Sequence, residues 1–70
     1  MERNTVTLTP TMLRQVQNPF KFKDIDRMQR QVLLAVVQLA CERSLEASGT
    51  LDNIFDMEIP IEVIHERVKE

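Results

Sequence analysis

Hydrophobic positions concentrate in Val32-Leu33-Leu34-Ala35-Val36-Val37-Gln38-Leu39-Ala40-Cys41, where only Gln38 is polar. The run is about half the length that crosses a bilayer as a helix. Upstream, Ile25 and Met28 keep step with Val32, Ala35, Val36 and Leu39, the 3-and-4 spacing of one helical face. A second stripe, Leu34, Val37, Cys41 and Leu45, runs on roughly the opposite side, and Asp24, Gln31, Gln38 and Glu42 form a polar seam between the two. This pattern predicts one long helix over residues 24–47, about 35 Å long and covered on most of its circumference. Asp26 and Gln29 have the spacing of a capping box in an acidic first turn, and Ser48-Gly49 is a left-handed stop.

The flanks are shorter. Thr5-Val6-Thr7-Leu8 alternates and favours extended backbone, so residues 1–8 read as a loose or extended arm. Thr9-Pro10 is a helix start, with Thr9 as cap and Pro10 at the first helical position. Met12, Leu13 and Val16 then give a helix over residues 10–17, which Asn18-Pro19 ends. Phe20-Lys21-Phe22-Lys23 reads as a connector with both phenylalanines anchored on the core and both lysines in water. The rival reading of these four is a base-stacking platform with phosphate-binding lysines. Phe55, Met57, Ile59, Ile61 and Val63 alternate with polar residues, but Pro60 suits the first turn of a helix better than a central strand. We therefore expect an extended piece at 55–59, free to pair with Thr5–Leu8, and a helix over 60–69 carrying Ile61, Ile64 and Val68. The expected fold is all-α: a single domain, 1–70, forming a small bundle around the long helix.

Length sharpens this expectation. A 70-residue chain buries a modest share of its surface and is marginal without some extra staple. One cysteine rules out an intrachain disulfide and a cysteine-rich metal site. A helix apolar on two sides then calls for oligomerisation, with Leu34, Val37, Cys41 and Leu45 as the association face. The polar N-terminus has no apolar leader, and with no membrane span the expected location is cytoplasmic.

Charge divides the chain. Residues 1–30 carry six basic and three acidic side chains, and residues 31–70 carry three basic and eight acidic, for a net charge of −2. The division suits self-pairing, or separate basic and acidic surfaces for different partners. Arg14, Lys21, Lys23, Arg27 and Arg30 form the candidate basic patch.

Candidate chemistry is sparse. Glu62-x-x-His65 has the spacing of a carboxylate–histidine ligand pair, to which Glu42 and Glu46 would add oxygens, but such a pair arises readily on a solvated helix. Cys41 lies in an apolar stripe with no base beside it and reads as a small hydrophobe. One histidine and one glycine supply neither a catalytic triad nor a phosphate-cradling loop. The chain is therefore expected to be a non-enzymatic interaction module without metal or cofactor. Its expected partner is itself or another protein. The alternative is a small dimeric DNA-binding regulator using the basic N-terminal third. That alternative strains the fold, because the central helix is too long for a helix-turn-helix and Asn18-Pro19 interrupts a strand-then-helix reader.

Overall fold

In a computed structural model, which describes residues 4–69, the chain forms β1 (Thr5–Thr7), α1 (Pro10–Gln17), α2 (Pro19–Asp24), α3 (Arg27–Ser48), a 3-10 turn (Ile54–Asp56), β2 (Glu58–Pro60) and α4 (Ile61–Lys69). The side chains of Pro19, Lys21 and Phe22 lie outside the description. The protein is mostly helical, and a helix of 22 residues is about 33 Å long, the length of the molecule's longest axis.

Each boundary has a local cause. Thr9 accepts the Met12 N–H at 3.2 Å, Pro10 opens α1, and Asn18 turns extended before Pro19. Asn18 Oδ1 then accepts the Phe20 N–H at 3.1 Å, so the residue that ends α1 also starts α2. Here the structure corrects the expectation of a connector followed by a helix from residue 24. Residues 19–24 are a separate helix, and α3 starts at Arg27 after a break at Ile25 and Asp26. Asp26 is the N-cap residue but its side chain makes no capping hydrogen bond, and the first turn holds no acid. At the other end Gly49 adopts φ 75° and donates to the Leu45 carbonyl at 2.8 Å, a left-handed stop that a side chain would strain.

The all-α expectation needs a second correction. β1 and β2 pair antiparallel, Thr5 with Pro60, Val6 with Ile59 and Thr7 with Glu58, and Ile61 N–H donates to the Asn4 carbonyl at 2.9 Å. Val6 and Ile59 face each other across this pair; Ile59 is fully buried and Val6 packs on the core. Pro60 is tolerated because a two-stranded sheet has only edges. The arm is thus extended over residues 5–7, and Leu8 behind it is buried. The three residues before Asn4 lie outside the described residues.

The core consists of Leu8, Ala35, Val36, Leu39, Ala40, Ile59 and Ile64. Burial of each large member is worth about 1.5–3 kcal/mol. Six elements contribute to it or flank it, and α3 presents one face only: Ala35, Val36, Leu39, Ala40 and Ser44 are buried. The small side chains at 35, 40 and 44 let neighbouring backbone approach the helix closely. No helix among the described residues is long and apolar enough to cross a membrane.

Candidate interaction surfaces

The side of α3 opposite its buried face is open. Leu34 is 40% exposed and Leu45 50%, and Cys41 between them is half-buried. Val37, the fourth member of the second stripe, is half-buried and packs against the core, so it sits at the margin of this face. The two apolar stripes therefore have different environments. From Ala35 onward the first is covered by β1, β2, α4 and α1, and the second is left partly to solvent.

The polar seam between the stripes ties α4 down. Arg67 Nη1 donates to Glu42 Oε2 at 2.9 Å, Nη2 donates to Glu42 Oε1 at 3.2 Å, and Nη1 also reaches Gln38 Oε1 at 3.3 Å. This fork holds two parallel charge-assisted bonds. The hydrogen bonds from Arg67 hold the Glu42 carboxyl below its ordinary pKa, with the attraction of Arg67 and Arg43 adding to them. Sequence spacing marked Gln38 and Glu42 as a seam but carried no signal for Arg67, which is remote along the chain.

A second polar cluster closes the end of α3. Ser44, fully buried, donates from Oγ to the Thr50 carbonyl at 2.7 Å. Ser48 Oγ donates to the Ser44 carbonyl at 3.1 Å, lies 3.2 Å from Thr50 Oγ1, and accepts from Asn53 Nδ2 at 3.3 Å. Ser44 lay outside both apolar stripes read from the sequence; it continues the buried face one turn beyond Ala40, and its helical spacing from Ala40 was the signal that could have found it. Beside it Arg43 buries its Nε with no hydrogen-bond partner among the described residues.

The basic residues fall on three successive elements: Arg14 on α1, Lys23 on α2, Arg27 and Arg30 on α3. Arg14, Lys23 and Arg27 are exposed, Arg30 is half-buried, and the Lys21 side chain lies outside the described residues. Phe20 is 83% exposed, which corrects the expectation that it anchors a connector to the core. Met28, expected on the core face, is 63% exposed. The reason is the same for both: α2 and the first turn of α3 reach past the sheet and α4. They leave a groove of about 440 Å³ lined by Gln15, Ile25, Met28, Gln29, Val32 and Leu33.

The metal-ligand idea does not assemble. Glu42 is engaged by Arg67, and no group of three or more potential ligands gathers among the described residues.

Compared with protein-family models, curated proteins and solved structures, the chain matches none of them.

Proposed function

We propose that the chain is a small non-enzymatic interaction module, an adaptor, regulator or inhibitor that acts through protein contacts made by the outward face of α3. One observation carries this reading. Leu34 and Leu45 stay 40% and 50% exposed on a helix whose opposite side is buried at Ala35, Val36, Leu39, Ala40 and Ser44. Their exposure leaves an apolar line of a kind that marks association surfaces in small domains.

Solution mass by light scattering tests the reading, on the parent chain and on a Leu34→Glu/Leu45→Glu variant. Both positions are solvent-facing, so the variant is expected to keep the parent's circular dichroism. The parent is expected above the mass of one chain and the variant at it. An assembly of unchanged mass in the folded double variant would overturn the assignment of this face.

A DNA-binding regulator is the second reading. It is supported by the exposed Phe20 next to Lys23 and by the exposure of Arg14 and Arg27, which together offer a stacking group among cations. Retention of the same purified chain on DNA at low salt, where phosphate contacts are strongest, supports it, and absence of retention removes it.

A further inference from the structure

The outward line of α3 has an internal period. Arg27, Gln31, Leu34, Gln38, Cys41, Leu45 and Ser48 follow one another by alternate steps of four and three, the seam spacing of a coiled coil. The charges on this helix oppose its own dipole. Arg27 and Arg30 stand in the first turn and Glu46 in the last, with no acid inside the first turn and no base in the last; Asp26 at the N-cap is the one acid at the start. A lone helix is destabilised by that arrangement, since its N-terminus already carries partial positive charge and its C-terminus negative. A second helix running the opposite way removes the conflict, because each basic N-terminus then lies beside an acidic C-terminus.

We propose that the outward face of α3 is covered by a second copy of this chain, antiparallel and two-fold symmetric, with Leu34 of one against the partner's Leu45. This rests on the reading of that face as the association surface and names its occupant. The register follows from the residues. With Leu34 on the partner's Leu45, Gln38 meets the partner's Cys41 and Gln31 meets the partner's Ser48. Arg27 is left at the end of the partner helix, whose last carbonyls are open and whose last turn holds Glu46, with Asp52 four residues beyond Ser48. Apolar meets apolar, and cation meets acid. Shifting by one heptad sets Leu45 against the partner's Arg27 in one direction and carries Leu34 past the end of the partner helix in the other. A parallel pair would stack Arg27 on Arg27. Neither Arg27 nor Asp52 is in an ion pair among the described residues, so both charges are available to the partner.

Oxidative cross-linking reads the register directly. In a Cys41→Ser background, Leu34→Cys and Leu45→Cys chains are prepared separately and mixed. Residues 34 and 45 lie about 16 Å apart along the helix axis, and a disulfide needs Cβ atoms about 4 Å apart. The mixture is therefore expected to cross-link, and each chain alone is not. Self-linking of each separate chain in place of the mixed product would mean parallel packing. That overturns this inference and leaves the association face standing. A parent chain of single-chain mass overturns the second copy as occupant, and another protein would then have to cover the face.

Charge reversal gives an independent arm that leaves both leucines in place. Arg27→Glu or Asp52→Lys alone is expected to weaken the dimer on the order of tenfold, counting two symmetric contacts, and the two together to restore it. Additive weakening in the double variant overturns the antiparallel arrangement.

Discussion

Ser44 shows how much one side chain decides here. It occupies a fully buried position on an otherwise apolar face, and its hydroxyl is satisfied by the Thr50 carbonyl. That bond folds the chain back against the helix it has just left, and Ser48 and Asn53 reinforce it. We expect Ser44→Ala to cost about 1 kcal/mol, the net worth of a hydrogen bond whose acceptor keeps partial access to water. A denaturant midpoint that does not move would show that Gly49 and the Ser48 contacts suffice to turn the chain.

At the scale of elements, the last helix is held by its hydrophobic edge and one polar fork. Ile64 is buried in the core, and Arg67 reaches Gln38 and Glu42 on α3. The lowered pKa of Glu42 gives this contact a defined pH dependence. A carboxyl whose folded pKa lies below its unfolded one adds stability in full above the ordinary carboxylate value and loses it as pH falls through the folded value. Arg67→Met, which keeps the apolar stem, should therefore lower the melting temperature slightly at neutral pH. The gap to the parent should close under acid conditions, and a gap that persists at acid pH would place the contribution in packing. The effect is small because Glu42 is half exposed to solvent.

Across the whole molecule, the two ends of the chain depend on each other. β1 comes from the start and β2 leads into the final helix, and Leu8 sits behind them in the core. A domain of this size has little stability to spare. Leu8→Ala should cost about 2–4 kcal/mol through lost burial and the cavity left behind, enough to loosen α4 as well as β1. Hydrogen exchange provides the check. Protection lost in β1 alone, with α4 unchanged, would mean that the ends fold independently.

Much of the local structure was legible along the chain. Thr9-Pro10 and Asn18-Pro19 bound α1 because a cap and two prolines act through the backbone of their own neighbours. Gly49 stops α3 for the same kind of reason, and the 3-and-4 spacing marked Ala35, Val36 and Leu39 as inward but missed Ala40 and Ser44 and wrongly included Met28. Remote pairings were not legible. The spacing allowed residues 55–59 to meet Thr5–Leu8, but only the folded chain brings β2 beside β1. Arg67 finds Glu42 only after α4 has packed, and the break at Ile25 and Asp26, beside an α2 packed on α1, had no signal in the apolar spacing. The two apolar stripes of the central helix look alike in sequence, since periodicity reports apolar character and carries no information about what lies opposite. Tertiary structure separated them: a chain this short has side chains enough to cover one face, and leaves the other only partly covered by elements of its own.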